Sequence, residues 1–183
     1  MLNRLVKTIY PSNDKNITDT LKFIDVLTTP NIVLLGEPGS GKSYLFEKAS
    51  TYENGKCITA RKFPVYADNS YTDTPVYIDA LDEKRSRTEH SNSIDSVIEH
   101  ILKIKPSKLR LSCRAADWLG ETDLEFFKPY FEENGGYCVV ALEDLTEEEI
   151  NTILTSNGVN NPSEFQEKAS KKGLESMLVN PQT

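Results

Sequence analysis

Ile32-Val33-Leu34-Leu35-Gly36-Glu37-Pro38-Gly39-Ser40-Gly41-Lys42-Ser43 is the stretch that decides the architecture of this chain. Its first four residues are an uncharged apolar run, the pattern of a buried strand. Glycine follows at 36, 39 and 41, and a helix-forming segment opens at Lys42. The whole satisfies G-x-x-x-x-G-K-S, the phosphate-binding loop, in the strand–loop–helix context that this pattern requires. The glycines admit backbone conformations closed to residues with a side chain, so successive N–H groups can turn toward phosphate oxygens. The opening helix adds its unpaired N–H groups and positive end. The candidate binding set is Gly36, Glu37, Pro38, Gly39, Ser40, Gly41, Lys42, Ser43 and Tyr44. Within it, Lys42 carries a point charge for the β- and γ-phosphates, and the Ser43 hydroxyl is suited to ligate Mg²⁺.

Working outward, short apolar strands alternate with helical segments. Upstream, Thr18 or Asp19 is a cap for a helix carrying Leu21, Ile24 and Leu27 and ending before Pro30. Downstream of the loop, Tyr44, Leu45, Phe46, Ala49 and Tyr52 ride a helix that stops near Asn54-Gly55. Further strands are expected at 57–60, 75–79, 109–113 and 136–142. Between them, Ile94, Val97, Ile98, Ile101 and Leu102 form one helical stripe, possible cap Ser93, and Glu121 to Phe127 a short helix before Pro129. This alternation predicts an α/β domain with a mostly parallel sheet covered by helices. Past Leu145 the pattern turns wholly helical. Thr146 and Glu149 form a capping box before Ile150, Ile153 and Leu154. Phe165 and Ala169 then face inward on a second helix, and Leu174 to Val179 start a third. The expected division is a core at 1–144 and a helical segment at 145–183.

A phosphate-binding loop needs a second acidic element. Asp79 ends the apolar strand Pro75-Val76-Tyr77-Ile78, where it reaches Mg²⁺ directly or through water. Ala80 is small enough to leave room beside the phosphates. Asp82 and Glu83 follow, with Glu83 favoured to handle the attacking water and Asp82 as its neighbour. Arg114 lies at the carboxyl end of its strand, the edge at which open α/β sheets bind ligands, where it would read the γ-phosphate or pair with Asp117 or the 82–83 acids. Trp118 reads as a packing anchor, Arg61-Lys62 as a solvated turn or a ligand contact, and Arg85 and Arg87 as a solvated run or a trans-acting finger.

Composition narrows the classes. Apolar residues make up 38% and charged ones 27%, which suits a soluble globular chain, and no apolar run is long enough to span a bilayer. Met1 to Tyr10 lacks a signal-peptide pattern, so the cytoplasm is the expected compartment, and the sequon at Asn16-Ile17-Thr18 carries no meaning there. Cys57, Cys113 and Cys138 read as small core residues in a reducing compartment; with His90 and His100 they offer no metal spacing. Residues 1–116 carry 17 basic and 14 acidic side chains, whereas 117–183 carry 4 and 14. A basic excess around the loop and an acidic C-terminal third suit a nucleotide site beside a solvated or partner-facing region, and disfavour a nucleic-acid surface.

Three motifs, GEPGSGKS at 36–43, YIDALDE at 77–83 and LRLSCRAADWLG at 109–120, together with the tail from ALEDLTEEEINTIL, resemble the STAND class of P-loop NTPases, specifically its bacterial NACHT-like members in signalling and antiphage defence. The resemblance implies a three-layer P-loop NTPase of the ASCE type, with the five expected strands ordered 5-1-4-3-2. By the same likeness Asp79 matches the Walker B acid, Asp82 and Glu83 the trailing acidic pair, and Arg114 the sensor arginine; Ala80 stands where many relatives carry glycine. It also implies a slow, Mg²⁺-dependent ATP switch, with Lys42, Asp82, Glu83 and Arg114 as the catalytic set and Ser43 and Asp79 on the metal. ATP and ADP are the expected ligands, and self-association or the sensor and effector domains of a longer protein, beginning where this chain ends, the expected partners. A non-hydrolysing nucleotide-binding scaffold, a small-molecule kinase and a nucleic-acid-stimulated ATPase stay open as alternatives.

Overall fold

The computed structural model describes residues 2–10, 20–85 and 92–181, and of residues 85, 92 and 93 the backbone only. The expectations resting on Asn16-Ile17-Thr18, the cap at Thr18 or Asp19, Arg87 and His90 fall outside the described residues, as do those on the Arg85 and Ser93 side chains.

In chain order the elements are β1 (Leu5–Tyr10), β2 (Thr20–Lys22), α1 (Phe23–Val26), β3 (Asn31–Gly36), α2 (Lys42–Tyr52), β4 (Lys56–Thr59) and α3 (Phe63–Tyr66). Then come β5 (Pro75–Asp79), α4 (Leu81–Arg85), α5 (Asn92–Ile104), β6 (Lys108–Arg114), α6 (Glu121–Glu133) and β7 (Tyr137–Leu142). The chain finishes with α7 (Glu147–Ser156), α8 (Pro162–Ser170) and α9 (Glu175–Leu178). The strands form one seven-stranded mixed sheet in the order β2-β1-β7-β3-β6-β5-β4. From β7 to β4 every neighbouring pair is parallel, while β1 and β2 add an antiparallel edge on β7.

Period-two alternation sends side chains to two cores, one on each sheet face. Val33 and Leu35 of β3, Val76 and Ile78 of β5, and Leu109, Leu111 and Cys113 of β6 pack with Phe63, Leu81, Val97, Ile101, Phe127 and Phe131 from α3 to α6. Ile32 and Leu34 of β3, with Tyr77 and Val140, pack on the other face against Phe23, Leu45, Phe46 and Ala49 from α1 and α2. The central strand β3 is buried along its whole length. That follows from its unbroken apolar run between two parallel neighbours.

Several expectations are corrected. The helix foreseen across Leu21 is a strand followed by one helical turn. The amides of Phe23 and Ile24 donate to Arg4 O (2.8 Å) and Leu2 O (3.0 Å), so the backbone bonds a longer helix would need are already taken by the β1 side. Helix α6 does not stop before Pro129 but runs through it to Glu133. Pro129 and the carbonyl it frees, that of Glu125, lie on the exposed side, while Phe127, Tyr130 and Phe131 are buried and hold the turn in place. Cys57 is exposed rather than in the core, because β4 is an edge strand. Tyr44 and Tyr52 on α2 and Leu102 on α5 face outward, and Phe165 on α8 is 43% exposed. Trp118 does pack against the larger core.

One buried charge cluster lies at the opposite end of the sheet from the glycine-rich loop. Arg110 is fully buried and donates to the carbonyls of Leu27 (3.0 Å), Thr29 (2.8 Å) and Pro30 (2.6 Å). Glu53, at the end of α2, accepts from Lys108 (2.7 Å) and Tyr77 and pairs with Arg110 at 3.3 Å. The cluster ties the end of α2 and the β3 approach to β6.

Candidate functional site

The loop between β3 and α2 is open toward its amides and closed toward its carbonyls. Gly39 and Gly41 take φ of +78° and +95°, conformations that favour glycine. A Cβ on Gly36 would lie 2.9 Å from Ser40 Oγ and 3.3 Å from Leu142 Cβ, so a side chain there would crowd the loop against the end of β7 and force Ser40 to turn aside. Lys42 Nζ donates to the carbonyls of Gly36 and Glu37, each at 2.8 Å. Asn180 Nδ2 donates to Pro38 O at 3.0 Å, and Arg4 donates to Ser40 O at 3.2 Å. Apart from Ser40 N–H, which donates to Glu37 O (3.2 Å), the loop amides of Gly39, Gly41, Lys42 and Ser43 find no acceptor among the described residues. Free donors at a helix N-terminus are what an anion requires. Ser40 Oγ is likewise buried without a partner among the described residues.

Three side chains from separate elements converge on Lys42. Burial lowers its pKa, while the charges of Asp82 and Asp79 raise it and that of Arg114 lowers it. Strand β5 places Asp79 at its carboxyl end, where one carboxylate oxygen accepts from Ser112 Oγ on β6. The same hydroxyl accepts the Ala80 N–H at 2.9 Å. Ala80 has φ of +56°, a left-handed conformation costly for a residue with a Cβ. That reversal ends β5 at once and lets α4 start at Leu81, which brings Asp82 back under the β6 terminus. Asp82 is buried and grips Arg114 twice: Nε at 2.9 Å and the backbone N–H at 3.2 Å. Glu83, one residue on, is exposed and does not line the cleft beside the loop. Tyr44 points outward with Lys48 Nζ 5.3 Å from its ring centre.

Among the described residues no three His, Cys, Asp or Glu side chains cluster to hold a metal by themselves. Mg²⁺ keeps several waters and binds through one or two protein oxygens plus substrate phosphates. Ser43 and Asp79 fit that role, since both line one cleft of about 260 Å³ between α2 and the ends of β4 and β5.

No family model matches the chain, and no curated protein matches it.

The sequence pattern misses the outer supports of the loop. Arg4, just before β1, has a side chain 11% exposed and joins three elements: Ser40 O of the loop, Glu143 O after β7 (2.6 Å), and the Glu149 carboxylate on α7 (3.3 Å). Asn180 and Pro181 approach from the other end of the chain, Pro181 Cγ lying 3.4 Å from where a Cβ on Gly41 would sit. Ser112 was equally silent in the sequence. A serine within the strand Leu109-Arg110-Leu111-Ser112-Cys113 gives no sign of the carboxylate it will face.

Proposed function

We propose that this chain binds ATP with Mg²⁺ and hydrolyses it slowly, as the NTPase core of a STAND-class, NACHT-like switch in the cytoplasm. The observation that carries the reading is the set of free loop amides at 39 and 41–43 facing a site into which Lys42, Asp79, Asp82 and Arg114 converge. The parallel run β7-β3-β6-β5-β4 supports an ASCE-type P-loop NTPase, because its neighbours follow the order 5-1-4-3-2 counted along the chain. The ties to the loop from α7, by way of Glu149 and Arg4, and from Asn180 just past α9 support a helical segment that senses it.

In this reading the loop amides and the start of α2 bind the polyphosphate and hold it in line. The Lys42 ammonium leaves the carbonyls of Gly36 and Glu37 for phosphate oxygens, where it stabilises charge developing on the γ-phosphoryl and on the departing ADP oxygen. Glu83 orients a water and takes its proton as the water oxygen bonds to phosphorus and the bond to ADP breaks. Asp82 keeps Arg114 at the rim, from which its half-exposed guanidinium reads the γ-phosphate. Mg²⁺ held by Ser43 and Asp79 would neutralise phosphate charge.

Calorimetric titration of ATP with Mg²⁺ into wild type and Lys42→Ala tests binding, and phosphate release from wild type and Glu83→Gln tests hydrolysis. Binding lost in Lys42→Ala and turnover lost in Glu83→Gln with binding kept is the expected pattern. Wild type that binds no nucleotide refutes the reading, and turnover untouched in Glu83→Gln removes the assigned base.

A further inference from the structure

The cleft beside the loop contains a carboxylate to which the motif assigns nothing. Glu47 stands four residues after Ser43 on α2, so both lie on one helix face, a turn apart. Both line the cleft, with Asp79 on the opposite wall and Cys57, Thr59 and Lys62 closing it from β4 and the turn after it. An independent sign of convergence comes from Cys57. The residue as a whole is exposed, but it lines the cleft, and desolvation there, with the charges of Asp79 and Glu47, pushes its thiol up to about 12. Two carboxylates on different elements therefore line the same small volume as the Ser43 hydroxyl. Glu47 is exposed, and no side-chain hydrogen bond to it occurs among the described residues; its backbone carbonyl, not its carboxylate, accepts from Ser50 and Thr51.

We propose that Glu47 is a positioning residue for the metal: its carboxylate accepts hydrogen bonds from the water shell of a Mg²⁺ ion held by Ser43, Asp79 and the nucleotide phosphates. This rests on the nucleotide-binding reading above. Mg²⁺ sheds its waters reluctantly, so a carboxylate one turn from the inner ligand acts on those waters and not on the ion itself. The cleft, at about 260 Å³ and open to solvent, has room for several waters beside the ion. Lys62 also lines the cleft and offsets part of its negative charge.

Glu47→Gln tests this, since it keeps shape and helix propensity and removes only the charge. ATP affinity is measured by calorimetry without divalent metal and across a Mg²⁺ series, and Mn²⁺ bound with ATP is read by its electron-spin resonance spectrum. The expected result is about a tenfold rise in the Mg²⁺ concentration for half-maximal effect, the low end of what outer-shell changes cost, with metal-free ATP affinity unchanged and an altered Mn²⁺ spectrum. An unchanged Mg²⁺ dependence overturns the proposal. So does an equal loss of affinity with and without metal, which would give Glu47 a structural role in α2. Wild type that fails to bind ATP under any condition overturns the nucleotide-binding reading itself, a different result from wild type that binds while Glu47→Gln matches it.

Discussion

Ala80 offers the sharpest check on the site geometry. At φ of +56° its Cβ crowds the following carbonyl, at a cost of about 1–2 kcal/mol that glycine does not incur. Ala80→Gly removes that cost but gives the unfolded chain more freedom, worth about 0.4–1 kcal/mol in the other direction. The difference leaves the variant more stable by about 0.5–1 kcal/mol. For a chain of 183 residues, where each kcal/mol moves Tm by about 2–4 °C, the melt should rise by about 1–4 °C. The control is Ala169→Gly. Ala169 sits in α8 with ordinary helical geometry, so the same chemical change there should cost about 1 kcal/mol and lower Tm. Ala80→Val, with a branched side chain in the same backbone well, should lower Tm further still. Thermal and urea melts of the four proteins decide the matter. If Ala80→Gly melts below wild type by as much as Ala169→Gly does, residue 80 is not left-handed, and the turn that carries Asp82 to Arg114 has been misjudged. A raised melt instead means that the backbone itself favours glycine at position 80, a reason the sequence reading, which turned on the small side chain, did not supply.

Three further outcomes follow from the same geometry. Glu53→Gln leaves Arg110 buried without its carboxylate and should cost about 3 kcal/mol, read by urea denaturation. In the wild type, burial raises the Glu53 pKa, but bonds from Lys108 and Tyr77 and the Arg110 charge outweigh it and hold the group below the usual carboxylate range. Its contribution is therefore complete above the unfolded value near pH 4.3 and is lost as pH falls through the folded one, so the acid limb of a stability–pH profile should flatten in Glu53→Gln. Arg4→Ala removes the tie from loop to α7 and should weaken ATP binding about tenfold, or about 1.4 kcal/mol, while amide exchange in 147–156 quickens; unchanged exchange there would deny the coupling. ATP at about 100 times its Kd should raise wild-type stability by about 2.7 kcal/mol and leave Lys42→Ala unmoved, a difference visible in a thermal-shift assay.

What could be read in advance was local or strongly periodic. The β3–loop–α2 unit declares itself because each of its residues has a backbone reason to be there, and the capping box at Thr146 and Glu149 forms both of its reciprocal bonds. The antiparallel pairing of β1 with β2 was invisible because β2 is three exposed residues, β1 is only partly buried, and Leu21, Ile24 and Leu27 mimic a helical spacing. Pro129 misled because a proline stops a helix only where the lost bond is not outweighed by burial around it. Arg110 looks like any strand arginine; the carbonyls of Leu27, Thr29 and Pro30 and the carboxylate of Glu53, all more than fifty residues away in sequence, make its burial tolerable.

The supports of the loop explain why the motif alone is not the site. A glycine-rich turn has many conformations, and only those with carbonyls outward present donors inward. Here the outward carbonyls are held by Lys42, by Arg4 near the start of the described chain and by Asn180 near its end. Both outer supports belong to elements that also touch the helical segment: Arg4 through Glu149, and Asn180 as neighbour of Val179, whose carbonyl accepts the Leu145 N–H at 3.1 Å. A phosphate drawing Lys42 inward would remove two of the bonds that hold the loop and shift load to the remaining two. By linkage, whatever displaces α7 to α9 must then change affinity at the loop by the same factor that nucleotide changes their position.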